Sequence, residues 1–175
     1  MQRTTAIVLK RIPAREFDDL VVCYTRDEGK RVYHAKSIRR RTSKQASHLD
    51  ILNCVEFTAI PASGYPIIAS AHCTRGYPSL KSSLPALAAA HVLLEHFDAL
   101  VFEHDADERL WRFLHEKLAE YEATAAINGN SWYTTVQKHT AELVTLLGYA
   151  PDMLPEHIAQ RQLYAFRFAL NVLQS

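Results

Sequence analysis

The residues with the strongest chemical signature in this chain are cations. The segment Lys36-Ser37-Ile38-Arg39-Arg40-Arg41-Thr42-Ser43-Lys44 places five of them in nine residues. Guanidinium and ammonium groups at this density suit phosphate, because they release condensed counterions without needing a rigid pocket. The bland alternative is a solvated run that only keeps the domain soluble. Tyr24 and Tyr33 lie nearby as candidate stacking platforms and His34 alternates with them, although an aromatic in a strand more often belongs to the core.

Other chemistries lack their residue sets. Nine histidines and three cysteines invite a metal reading, but neither Cys-x-x-Cys nor His-x-x-x-His spacing occurs. His72 and Cys73 are neighbours on a strand and point to opposite faces, while His91 with Glu95 lacks a third ligand. Neither a metal nor any other cofactor is expected. Asp18-Asp19 and Asp105/Asp107/Glu108 could be imagined as nuclease carboxylates, yet the first pair lies in a polar turn and the second reads as a helix cap. No GxxxxGK[ST], GxGxxG or GxSxG pattern occurs, and five glycines leave little room for a phosphate-cradling loop. The expectation is a binding protein without catalytic machinery.

Two kinds of element must position the cation run. Five runs rich in Val, Ile, Tyr, Thr and Phe come first, at Thr4–Arg11, Leu20–Thr25, Arg31–Ile38, Ile51–Ile60 and Pro66–Thr74. Asp27-Glu28-Gly29-Lys30 and Ala62-Ser63-Gly64-Tyr65-Pro66 supply turns between them. Five short strands are too few for a usual sandwich, so closing a small OB-like barrel is the natural way to remove sheet edges. The cation run then starts at the end of the third strand and continues into a long polar loop.

After Pro78 the apolar period changes from two to about 3.6. Ser83-Leu84-Pro85 opens a helix to about Glu103, and Asp105-Ala106-Asp107-Glu108 has capping-box spacing for a second. Asn128-Gly129-Asn130 breaks the pattern before a third helix from Ser131 to Leu147, stopped by Gly148 with Pro151 following. Pro155 opens a fourth, running nearly to Ser175. The fold class is therefore α+β: a five-stranded barrel over residues 1–80, expected to bind nucleic acid through the cation run, then an all-α domain over 81–175.

Charge follows the same division. Residues 1–81 hold 14 Lys and Arg against 7 Asp and Glu, whereas residues 82–175 hold 6 against 12. Such asymmetry is expected when one part meets a polyanion and the other does something else. Cys23, Cys54 and Cys73 are widely spaced within apolar stretches and suit buried thiols in a reducing compartment. With no secretory pattern at the N-terminus and no long apolar stretch, a cytoplasmic, nucleoid-associated protein is expected.

Several stretches together resemble a known family. Ala6-Ile7-Val8-Leu9-Lys10-Arg11, Glu16-Phe17-Asp18-Asp19-Leu20-Val21, Tyr24 through Lys30, and Ala35-Lys36 with the following Arg-Arg and Lys are similar to the N-terminal domain of RecO, the bacterial recombination mediator and DNA-repair protein. Leu146-Leu147-Gly148-Tyr149-Ala150-Pro151-Asp152 is similar to a segment near the end of that family's helical domain. The resemblance implies an OB-fold that binds single- and double-stranded DNA and promotes annealing. It also implies action with RecR to load RecA onto strands coated by single-stranded DNA-binding protein, whose C-terminal tail the helical domain holds. By matching position, the DNA-contacting candidates are Lys36, Arg39, Arg40 and Lys44, with Arg41 added from the cation run itself. An acidic, apolar-ended tail wants cations beside a groove, so Arg109, Arg112, Lys117 and Lys138 are the candidates there. Met153-Leu154-Pro155-Glu156-His157 stands where many family members carry a four-cysteine zinc module, which marks a short form without zinc. The rival readings are an adaptor whose barrel does not bind DNA, and a metal-dependent nuclease.

Overall fold

A computed structural model of the chain describes residues 2–126 and 132–150. The described residues fall into two compact units: those up to Gly76 together with Phe102–Trp111, and Tyr77–Val101 together with those from Arg112 on. The expected fourth helix from Pro155, the Asn128-Gly129-Asn130 break and the Met153–His157 segment lie outside the described residues.

The first unit is built on β1 (Gln2–Pro13), β2 (Asp19–Thr25), β3 (Gly29–Ala35), β4 (Cys54–Ile60) and β5 (Ile67–Arg75). They close in the order β1-β2-β3-β5-β4, the five-stranded OB arrangement. Strand β1 is long enough to serve two neighbours: Gln2–Ile7 pair with β4 and Ala6–Pro13 with β2, the register shifting between Val8 and Lys10. Such an irregularity bends the strand, which a small closed barrel needs. The closing contact is parallel, His34 opposite Ile67, with the His34 N–H donating to the Pro66 carbonyl at 2.8 Å.

Alternation along the strands fills the interior. Ala6 and Val8, Val21 and Cys23, Tyr33 and Ala35, and Val55, Phe57 and Ala59 meet in one cluster with Ile68. Tyr33 and Phe57 pack edge to face, their centroids 4.7 Å apart.

The β2–β3 hairpin fixes one further contact. Gly29 has φ +70°, and a Cβ there would lie 2.3 Å from the Asp105 carbonyl oxygen. Only glycine allows the 102–111 segment to approach this closely. That segment is held by the His104 N–H donating to the Lys30 carbonyl and by the Tyr24 hydroxyl, which lies 3.1 Å from both the Asp105 carbonyl and the Asp107 N–H.

The second unit contains α1 (Pro78–Ser82), α2 (Leu84–Leu100), α4 (Trp132–Leu146) and most of α3 (Glu108–Thr124). Helix α2 is buried nearly all round, through Ala86, Ala89, Ala90, Leu93, Leu94, Phe97 and Leu100. It packs on α4, which buries Val136, His139, Thr140, Leu143 and Val144 at helical spacing. Gly148 ends α4 as expected: at φ +82° its N–H reaches the Thr145 carbonyl and the Tyr149 N–H that of Val144, the paired bonds of a Schellman motif. Helix α2 ends three residues before the expected Glu103, because Val101 is extended and the chain leaves to join the barrel unit. Among the described residues no helix is long and apolar enough to cross a membrane.

Candidate nucleic-acid interface

The cation run is not a loose tether. Ile38, inside it, is 1% exposed and joins the barrel core together with Leu49. Successive turns follow: the Arg40 N–H donates to the Ser37 carbonyl, Ser43 to Arg40, and Leu49 to Gln45. The amide of Asn53 donates to the Ser47 and His48 carbonyls at 2.9 and 3.0 Å, closing the far end. Arg39, Arg40, Arg41 and Lys44 between these anchors, and Lys36 just before them, are all exposed.

The near end is braced by the β1–β2 turn. One carboxylate oxygen of Asp18 accepts the Ser37 N–H at 2.7 Å, and the other lies 2.9 Å from His34 Nε2. The Ser37 bond holds the Asp18 carboxyl below its usual range; burial opposes this and His34 adds to it. Ser37 itself has φ +54°, a conformation non-glycine residues seldom adopt without such support. The Arg39 N–H donates to the Phe17 carbonyl at 3.0 Å, and the Arg40 guanidinium lies over the Phe17 ring, 5.1 Å from its centroid. Asp19, 4% exposed, is taken by Arg11 at 2.7 Å and lies 4.0 Å from Arg39 Nε. Among the described residues Lys36, Arg40, Arg41 and Lys44 form no ion pair with a carboxylate.

Three expected members of this set take other roles. Tyr33 is 3% exposed with its ring edge-on to Phe57, so it offers no face to a base. Tyr24 is fully buried, its hydroxyl engaged by the 105–107 backbone. Burial raises the phenols of both well above their usual range. His34 is half-buried and committed to Asp18. What the sequence reading missed is Phe17, 37% exposed in the turn and flanked by Arg15, Glu16, Asp18 and Asp19. Its signal was present: an aromatic set among Arg15, Glu16, Asp18 and Asp19 has no strand alternation to bury it.

A cleft of about 300 Å³ opens elsewhere on the barrel, lined by Thr4, Glu28, Arg31, Tyr33, Ala59, Ile60, Pro61 and Pro66. None of the five loop cations lines it.

Four of the five carboxylates considered for nuclease chemistry, Asp18, Asp19, Asp107 and Glu108, have structural partners. Asp18 and Asp19 brace the loop as described. Asp107 caps α3, its Oδ1 accepting the Arg109 N–H at 2.7 Å. Its carboxyl is held low, first by the Arg109 side chain at 2.7 Å; burial opposes this, and the backbone N–H groups of Arg109 and Leu110 add smaller lowering effects. Glu108 lies 3.4 Å from Arg26. Among the described residues no three His, Cys, Asp or Glu side chains gather as metal ligands.

The four cations expected to meet an acidic tail do not share one environment. Arg109 belongs to the barrel unit and is held by its own helix cap, Asp107. Lys117 is largely covered: its ammonium sits 2.7 Å from Glu142 and 3.9 Å from Glu120, and 5.5 Å from the Phe113 ring centroid. It serves the helical unit's own packing and is withdrawn from the set. Arg112 and Lys138 remain exposed.

Comparison with known proteins agrees with this architecture. Residues 1–77 match the family model described as "Recombination protein O N terminal". Over 154 residues, 87% of this chain, it is 29% identical to the DNA repair protein RecO of Rubrobacter xylanophilus and covers 60% of that protein. The corresponding protein of Cutibacterium acnes is 25% identical, with 87% of this chain and 63% of the relative covered. That of Roseiflexus sp. is 27% identical, with 86% and 51% covered. The chain thus spans between half and two thirds of the length of these curated relatives. The N-terminal 77 residues are therefore similar to the RecO N-terminal domain, and similarity to curated RecO proteins extends over most of the chain.

Proposed function

We propose that this protein binds DNA through the backbone in recombination and repair, without catalysing a reaction of its own. The observation that carries the reading is the loop between Ile38 and Leu49: anchored in the core at both ends, it holds Arg40, Arg41 and Lys44, which meet no carboxylate among the described residues. A pinned cationic surface loses less conformational entropy on meeting phosphate than a free tail does. The interface comprises Lys36, Arg39, Arg40, Arg41 and Lys44, supported through His34 and Asp18.

The RecO relationship extends the reading. The protein acts with RecR to load RecA onto strands coated by single-stranded DNA-binding protein, promotes annealing, and holds the coating protein's C-terminal tail on its helical part. Arg112 and Lys138, exposed cations of that part, are the groups available to the tail's carboxylates.

The test is fluorescence anisotropy with single-stranded and duplex oligonucleotides across a salt series. Three to five phosphate contacts on a single strand predict an affinity loss of about 20- to 100-fold between 50 and 200 mM salt. A salt-independent affinity overturns the electrostatic grip. No binding at all leaves the loop as a solubilising surface and favours an adaptor. Pull-downs with RecR, and with the coating protein with and without its tail, test the partner contacts separately.

A further inference from the structure

Phosphate contacts alone do not distinguish a single strand from a duplex, since both present the same backbone chemistry. The β1–β2 turn carries something that does. Phe17 is a half-exposed ring whose main chain is fixed on both sides. The Ala14 and Arg15 N–H groups close the turn onto the Asp18 carbonyl at 3.0 and 3.3 Å, and the Arg39 N–H holds the Phe17 carbonyl at 3.0 Å. Asp18, the next residue, is tied to Ser37 and His34. The ring is therefore held in place among the loop cations, with the Arg40 guanidinium resting on it.

From this juxtaposition we infer that Phe17 is a stacking platform for an unpaired base, and that with Arg40 it makes this face prefer single-stranded DNA. The inference rests on the loop's reading as a grip on DNA backbone. A planar guanidinium on an aromatic ring occupies the position of a stacked base and marks a face that planar groups can approach. An exposed contact of that kind is worth about 2- to 5-fold in an equilibrium constant. Stacking a base on an aromatic side chain is worth about 5- to 150-fold in affinity, so a base displaces Arg40. The released guanidinium is then free for the phosphate flanking that base. In a duplex the bases are already stacked and paired, and the ring finds no partner. Any base has a π-face, so the preference is for strand state and not for sequence.

The experiment measures affinity of the full chain for oligodeoxythymidylate and for a duplex with the same number of phosphates, at one salt concentration and across a salt series. Phe17→Leu keeps an apolar side chain in the turn but removes the π-face. It is expected to weaken single-strand binding about 5- to 150-fold while leaving duplex affinity and the salt slope unchanged. Phe17→Trp is expected to retain the preference, with indole fluorescence quenched by the single strand and not by the duplex. Unchanged single-strand affinity in Phe17→Leu, equal losses on both substrates, or an unquenched Phe17→Trp would each overturn the platform while leaving the phosphate grip intact. Failure of the unaltered protein to bind either substrate overturns grip and platform together.

Discussion

The barrel loop and the helical unit use the same residue types to opposite ends. In the loop, Lys36, Arg40, Arg41 and Lys44 reach water and meet no carboxylate among the described residues. In the helical unit, Lys117 lies along Phe113 with its ammonium against Glu142 and Glu120. Local supply of the opposite charge explains much of the contrast. Residues 82–175 hold 12 acids for 6 cations, so a cation there is readily neutralised; residues 1–81 hold 14 cations for 7 acids, so some go unpaired. Asp18 and Asp19, which could have neutralised the loop, are spent on Ser37, His34 and Arg11. A cation is available to a partner only when its neighbourhood has no acid left for it.

Reversing charges in each region tests this most strongly. Arg39→Glu, Arg40→Glu and Arg41→Glu combined should lower DNA affinity by about 100-fold or more at low salt, since contacts are lost and repulsion is added. The melting temperature should stay within a few degrees, because all three side chains are exposed. Arg112→Glu with Lys138→Glu, read by the same anisotropy assay, should change DNA affinity by about 2-fold at most. Equal losses from the two sets would show that the regions are not distinct.

A smaller effect is expected from the helical unit's buried histidine. His96 is 3% exposed, and its Nδ1 lies 2.8 Å from Thr140 Oγ1. Desolvation lowers its pKa from 6.5 to about 4. The folded state therefore resists a proton that the unfolded state accepts, so stability is full above pH 6.5 and falls as pH drops toward 4. The loss approaches roughly 3 kcal/mol when converted from that shift. Urea unfolding followed by helix signal should show the decline, and His96→Gln should flatten it. An unchanged pH slope in His96→Gln would place the titration elsewhere. His139, fully buried, sits 3.0 Å from the Tyr121 hydroxyl and 3.3 Å from Glu120; burial lowers its pKa while Glu120 opposes.

Legibility in the sequence follows the range of the forces involved. Period-two alternation bounded by Asp27-Glu28-Gly29 and by Ser63-Gly64 located the strands to within a few residues, because hairpin pairing is local. A helix start within Asp105–Glu108 and Gly148 as a stop were legible for the same reason, although the cap is Asp107 and not the Asp105 that capping-box spacing points to. Helix α1 was not: its first N–H groups, from Ser79 and Leu80, are satisfied by Glu122, more than forty residues away, at 3.1 and 2.7 Å. Nothing near Pro78 announces that partner. Tyr33 was misassigned because alternation tells which residues share a face and not which face is inside; closure of the barrel decides that. Phe17 was missed because its role depends on Arg40, brought to it by the Asp18–Ser37 bond across the fold.

The smallest expected effect is the most discriminating for the helical half. Lys117→Met preserves a stem over Phe113 but removes the charge between Glu120 and Glu142. Because Glu142 is 43% exposed and water can take over its solvation, the cost should be only about 0.5–1 kcal/mol. A double-mutant cycle with Glu142→Gln, read by urea midpoint, should recover most of that as coupling between the two sites. DNA affinity should be unaffected throughout. If Lys117→Met instead left stability untouched and weakened capture of the coating protein's tail, the ion pair would be a resting state that a competing carboxylate displaces. Lys117 would then return to the set of partner-binding cations, and pairing within the chain would no longer separate structural from functional charge.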